Sequence, residues 1–195
     1  MMTPLHIENR SSIQGFTLIE LLFVLAISAL LLAIAAPGFQ TMSAQSKAKN
    51  SLHKLSGVLR LARNHAVNYQ TPVLVCPSED GSHCLDQDWQ HGLMILADRN
   101  SNRQADPSET VVYFRTPFLE QGSLHWNALK NSLSFSTSGL PSGSVGSFVY
   151  CPGNNDVRYA HALVISFSGK MRFAEDQNQD GIREAGNNRN IACPG

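Results

Sequence analysis

Apolar residues fill nearly every position from 21 to 36, broken only by Ser28. Such a run has no polar face, which is the pattern of a helix surrounded by apolar material on all sides. Extended over residues 16–39, it reaches the ~20 residues that a helix needs to cross a bilayer core. Pro37 and Gly38 then interrupt it, and a bend is expected because proline removes a backbone hydrogen bond and glycine loosens the chain. Beyond them Ala48, Leu52, Leu55, Leu59, Ala62 and Ala66 recur at spacings of three and four, the stripe of an amphipathic helix. The helix should end near Asn68, since Thr71-Pro72 disfavours helical backbone. From there the period shortens to runs rich in β-branched and aromatic residues, separated by Gly, Pro, Asn and Ser. Residues 73–76, 93–97, 110–115, 123–126, 133–136, 147–151, 163–168 and 170–173 read as strands, with Ser168-Gly169 as a tight turn between the last two. The Gly- and Ser-rich stretch 138–146 reads as a mobile excursion. The pattern predicts an α+β fold: a long N-terminal helix packed on a β-rich head of antiparallel sheets.

With 195 residues, 43% hydrophobic and 15% charged, the chain has room for one packed head and not for a multidomain enzyme. A formal net charge of zero argues against a globally basic or acidic partner surface. The mean hides a contrast, because Lys47, Lys49, Lys54, Arg60 and Arg63 lie together with no acid among them. From residue 70 onward nine Lys or Arg face thirteen Asp or Glu. Any nucleic-acid surface on the head must therefore be local.

Two explanations compete for the apolar run. A cleaved secretory signal would end at the small residues Ala33-Ile34-Ala35. Against it stands Glu20, because a carboxylate in an apolar segment costs ~2.5–3.5 kcal/mol on insertion scales and persists only where it is used. The surrounding residues Gly15-Phe16-Thr17-Leu18-Ile19-Glu20 closely resemble the prepilin cleavage and methylation motif of the type IV filament superfamily. That resemblance implies cleavage between Gly15 and Phe16 by a membrane prepilin peptidase and methylation of the new amino terminus. It also implies a filament-assembly role for Glu20, whose buried charge a neighbouring subunit's positive terminus would offset. The implied organisation is a leader over residues 1–15, a transmembrane half-helix over 16–39, an amphipathic half-helix over 40–69 and a head over 70–195. The implied location is the inner membrane, single-pass, with the head in the periplasm and the subunit incorporated into a pilus or pseudopilus.

Val75-Cys76-Pro77-Ser78, then Cys84, Trp89, Gly92-Leu93 and Asp98-Arg99-Asn100-Ser101-Asn102 up to Glu109, resemble the GspH/FimT branch of minor pilins and pseudopilins, especially its FimT/FimU-like members. The resemblance implies a role in priming or assembling the filament alongside other minor and major pilins. The alternative within the family is the pseudopilin H of type II secretion, a purely structural tip subunit. In an oxidising compartment the four cysteines, Cys76, Cys84, Cys151 and Cys193, are expected as disulfides. Three pairings are open to them. Cys76 with Cys84, closing a polar loop, and Cys151 with Cys193, pinning the tail, form the favoured set.

Two loops carry the oxygen spacing of a calcium site. Asp98, Asn100, Asn102, Asp106 and Glu109 occupy positions 1, 3, 5, 9 and 12 of the calcium-loop pattern, with Arg103 where a glycine is usual. Asp176, Asn178 and Asp180 precede Gly181, with Glu184 further on. Self-bonded Asx turns are the competing explanation for both. Gly169-Lys170-Met171-Arg172 is similar to the basic Gly-Arg-x-Arg motif of FimT-like DNA-uptake pilins. Lys170 and Arg172 would share one face of a strand and meet phosphates of double-stranded DNA without sequence preference, with Arg158 and Arg189 extending the patch. The competing explanation is an edge strand protected by charge. Seven scattered histidines and the lack of a phosphate loop or nucleophile elbow point away from an enzyme.

Overall fold

The computed structural model describes residues 16–143, 145–186 and 189–194, and the side chains of residues 35–38, 40 and 41 are not among those described. Among the described residues there are one long helix, nine strands and a short 3-10 turn. Helix α1, Leu18–Tyr69, continues through residues 37–38 and stops where Gln70 takes a left-handed φ of 50° and its side-chain amide donates to the Val67 carbonyl at 2.7 Å. The capping geometry thus acts just before Thr71-Pro72. Internal contacts divide the chain into two units, with the boundary after Gln40.

In the first unit the large apolar side chains from Leu18 to Ile34 are exposed at consecutive positions, so every side of the helix is apolar. Among the described residues, however, no helix is long and apolar enough to cross a membrane. Four residues of the span expected over 16–39, residues 35–38, have side chains outside those described.

In the second unit the amphipathic stripe behaves as its spacing dictates. Ala48, Leu52, Leu55, Leu59, Ala62 and Ala66 are fully buried. They share a core with residues of two antiparallel sheets. The first sheet has the order β3-β2-β1-β5-β6 and the second the order β4-β7-β8-β9. The first comprises β1 (Val73–Pro77), β2 (Leu93–Ala97), β3 (Val111–Arg115), β5 (Leu133–Phe135) and β6 (Pro141–Ser142). The second comprises β4 (Ser123–Asn127), β7 (Gly146–Cys151), β8 (His161–Ile165) and β9 (Met171–Phe173). Strand alternation divides the faces. Val73, Val75 and Ile95 enter the common core, where Trp89 meets the edge of Phe148 at 4.8 Å and Trp126 lies 4.4 Å from the same ring.

Each outer face has a small core of its own. Leu74, Cys76, Met94 and Leu96 lie under Cys84 and Ala105, while Val149, Cys151, Ala162 and Ala174 lie under Ile191 and Cys193. The disulfides join Cys76 to Cys84 and Cys151 to Cys193, so each closes a covering segment over one sheet.

Most strand ends shift by one to three residues from the pattern-based expectation, and the differences at β6, β8 and β9 change the picture most. The 138–146 stretch is not only an excursion, because Pro141–Ser142 pairs with β5 through Phe135 and Ser134. Strand β8 lies two residues earlier than expected. The turn after it takes residues 166–170, closed by Ser166 N–H to Lys170 O at 3.0 Å and Gly169 N–H to Ser166 O at 2.8 Å, with Gly169 at a φ of 73°. Lys170 therefore sits in the turn, and β9 begins at Met171.

Candidate functional site

The N-terminal motif is built around the first turn of α1. Thr17 precedes the helix and Glu20 is its third residue. The Thr17 hydroxyl accepts the Glu20 N–H at 3.3 Å, and a Glu20 carboxylate oxygen accepts the Thr17 N–H at 3.4 Å. This reciprocal pair is a capping box, which satisfies two backbone donors that a helix start otherwise leaves unpaired. Glu20 is exposed and bonds back to the residue before the helix, and Phe16 is 88% exposed. Gly15 lies outside the described residues. The motif's acid thus has a local task in its own chain in addition to any task toward a neighbour.

The basic turn between β8 and β9 brings a third cation to the two that the sequence suggests. Lys170 and Arg172 are exposed, and Arg172 lies on the edge strand of the second sheet, opposite Val164. Beneath them the Arg63 guanidinium donates to the Gly169 carbonyl at 3.0 Å, tying α1 to the turn. A side chain at residue 169 would crowd the Gly139 carbonyl and Arg63, so glycine permits this approach. Arg189 lines a groove with Ser166 and Phe167 of the same turn. Arg158 differs: it forks onto Asp156 at 2.7 and 3.0 Å, which offsets its charge and holds the Asp156 carboxyl below the usual range.

The two oxygen-rich loops differ in how far they satisfy themselves. In the first, Asp98 is buried and accepts the Asn102 and Arg103 N–H groups at 3.1 Å each. The Asn100 and Asn102 carboxamides both donate to Asp106, and Glu109 accepts the Arg99 N–H at 2.9 Å. Arg103 takes the positive φ, 63°, that the pattern reserves for glycine. Its guanidinium reaches the Ser142 and Ser132 carbonyls at 2.7 and 2.6 Å. This loop is a strut that fixes β5 and β6, a role its spacing does not announce.

In the second loop Asp176 accepts the Gly181 N–H at 2.9 Å, and Asp180 accepts the Ile182 N–H at 2.8 Å and the Asn190 carboxamide at 2.7 Å. The Asn190 contact leads the causes that hold Asp180 below the normal carboxylate range. Asn178 accepts the Asp180 N–H at 2.9 Å. Among the described residues, one group of three carboxylates gathers closely enough to hold a metal ion: Asp176, Asp180 and Glu184, within 4.8 Å of one another. The carboxylates of Asp98, Asp106 and Glu109 do not gather in this way.

His161, at the start of β8, is one of the seven scattered histidines. It is 4% exposed, and its Nε2 is buried without a partner. Burial, then Arg183 and Lys49, pushes its pKa down to about 4. The sequence pattern places the strand from residue 163, so nothing in it singles out His161.

A helix bearing a methylation-type N-terminal motif and burying its second half under two antiparallel sheets defines the pilin-like class of filament subunits. The family description "Prokaryotic N-terminal methylation motif" matches residues 10–36, and that of "Type II transport protein GspH" matches residues 52–169, more than half of the chain. The chain belongs to the GspH family. Its fold resembles the type IV minor pilin FimU of Pseudomonas aeruginosa, with a TM-score of 0.52 at 18% identity, covering 73% of this chain and 95% of that one. A second crystal form of FimU gives a TM-score of 0.46 at 18% identity, covering 72% and 98%. No curated protein sequence matches significantly. As a member of the GspH family the protein is a pilin or pseudopilin, a structural subunit and not an enzyme. Its methylation motif is that of membrane-anchored filament subunits.

Proposed function

We propose that this subunit primes or assembles a type IV pilus-type filament after a prepilin peptidase cuts between Gly15 and Phe16. The apolar helix is its single-pass anchor in the inner membrane, and the head lies in the periplasm. The observation that carries this reading is the exposed Glu20 carboxylate at the start of a helix that is apolar on every side. Such a surface is covered by lipid before assembly and by the helices of neighbouring subunits afterwards, where Glu20 can meet a neighbour's amino terminus. Type II secretion, with the chain as its pseudopilin H, is the alternative machine for the same assembly chemistry.

Glu20 substitutions separate the neighbour contact from the local cap. Glutamine keeps a capping box and removes the charge, whereas alanine removes both. Incorporation into sheared filaments, measured against total subunit, is expected to fall about tenfold in both Glu20→Ala and Glu20→Gln, the equivalent of one lost favourable charge contact. Wild-type incorporation of Glu20→Gln would show that Glu20 serves only its own helix.

A second reading adds capture of double-stranded DNA for uptake. It rests on the exposed Lys170 and Arg172 beside Arg63 at the β8–β9 turn.

A further inference from the structure

The C-terminal loop contains a carboxylate whose placement is unfavourable by itself. Glu184 is 2% exposed, and its Oε1 atom is buried without a hydrogen-bond partner. Its other oxygen accepts the Gln177 N–H at 2.7 Å. Leaving a buried charged oxygen unsatisfied is unfavourable, because no hydrogen bond repays its desolvation. The same carboxylate faces Asp176 and Asp180, with ligand atoms within 4.8 Å of one another. Among the described residues no Lys, Arg or His forms an ion pair with any of the three. Arg183, the nearest basic residue in sequence, turns instead to the Arg158 and Ala160 carbonyls.

We propose that Asp176, Asp180 and Glu184 hold a hard divalent cation of the calcium class. The donor set is all oxygen, which suits calcium and does not suit soft metals. Asp176, Asn178 and Asp180 stand at alternate positions, and Gly181 follows at a φ of 88°, where an L side chain would be strained. The hydrogen bonds of the loop leave lone pairs on the carboxylate oxygens. A dication there satisfies the orphan Glu184 oxygen and offsets three mutually repelling charges.

The bound cation also fastens the tail. Glu184 bridges to Glu175 on one side and to Asn190 on the other, and Asn190 donates to Asp180. Loop, cation and tail thereby close over the outer face of the second sheet together with the Cys151–Cys193 bond. The site goes beyond the assembly role and does not depend on it.

The test uses the full chain in detergent, stripped with a chelator and desalted, then titrated with calcium chloride by calorimetry and melted with and without calcium. One site is expected, with a Kd in the ~10⁻⁴–10⁻³ M range of extracellular modules. At ten times Kd the melting temperature should rise by about 3–6 °C. Glu184→Gln and Asp180→Asn should each weaken binding at least about tenfold by removing a charged ligand. Asp106→Asn, in the other loop, should leave it unchanged. If Glu184→Gln fails to fold, the exposed Asp180→Asn decides. No heat and no melting shift up to about 10 mM calcium, ten times the weakest expected Kd, would overturn the proposal. So would wild-type binding by Asp180→Asn, or binding lost in Asp106→Asn.

Discussion

At the scale of single residues, His161 makes the head sensitive to pH. Its folded pKa of about 4 lies below the ordinary value of 6.5 because burial disfavours the imidazolium, with Arg183 and Lys49 adding to the effect. Between those values the unfolded chain binds a proton that the folded chain does not, so stability rises with pH across that interval. The head is therefore expected to keep this part of its stability above pH 6.5 and to lose it progressively as the pH falls toward 4. Urea midpoints measured between pH 4 and 7 should show the slope in the wild type and a flatter profile in His161→Gln. Equal slopes would assign the acid sensitivity to other groups. Arg103 shows a different kind of residue effect. It keeps the positive φ that a calcium loop assigns to glycine while its guanidinium makes two bonds to strand-side carbonyls, so the departure from glycine serves packing.

At the scale of elements, the disulfides divide unequally in the energy they supply. The Cys151–Cys193 bond spans 42 residues and the Cys76–Cys84 bond spans 8. In the chain-entropy account these loops correspond to about 4 and about 2.5 kcal/mol. Replacing both cysteines of the longer pair by serine should lower unfolding free energy by more than the same change at the shorter pair. Chemical denaturation of the two double variants checks the order, and a reversed order would show that the covering loop over the first sheet contributes more than its length predicts. Elements were legible from the sequence where a single face had to be buried. The stripe from Ala48 to Ala66 and the runs around Val75, Ile95 and Phe148 fill the core because their periods leave no other choice. The short β6 was not legible, since two residues of Pro and Ser carry no periodic signal and pair only because β5 lies beside them. The N-terminal motif could be read residue by residue, but its capping box required seeing where the helix begins. Glu184 stood out only once the fold had buried it.

At the scale of the whole molecule, the DNA reading makes a separable prediction. Contacts from Lys170 and Arg172 to phosphates would release counterions, so their joint loss should reduce the slope of log binding constant against log salt by about 2. Filter binding of duplex DNA to the full chain in detergent, wild type beside Lys170→Ala with Arg172→Ala, gives that slope. Binding absent at low salt, or unchanged in the variant, would leave the basic turn as protection for the exposed β9 edge. Neither result bears on Glu20, which lies in the other unit of the chain.

The start of α1 carries a consequence for maturation. Thr17 and Glu20 both lie on the retained side of the proposed cut, so the groups that fix the first helical turn survive removal of the leader. Processing then changes charge without rebuilding the helix. A new α-ammonium would appear next to the positive pole of the helix dipole, where a cation is disfavoured. The Glu20 carboxylate already sits at that pole and offsets part of this positive charge from the moment the terminus is formed. Methylation of that terminus would leave the offset intact, because a secondary amine remains cationic at neutral pH.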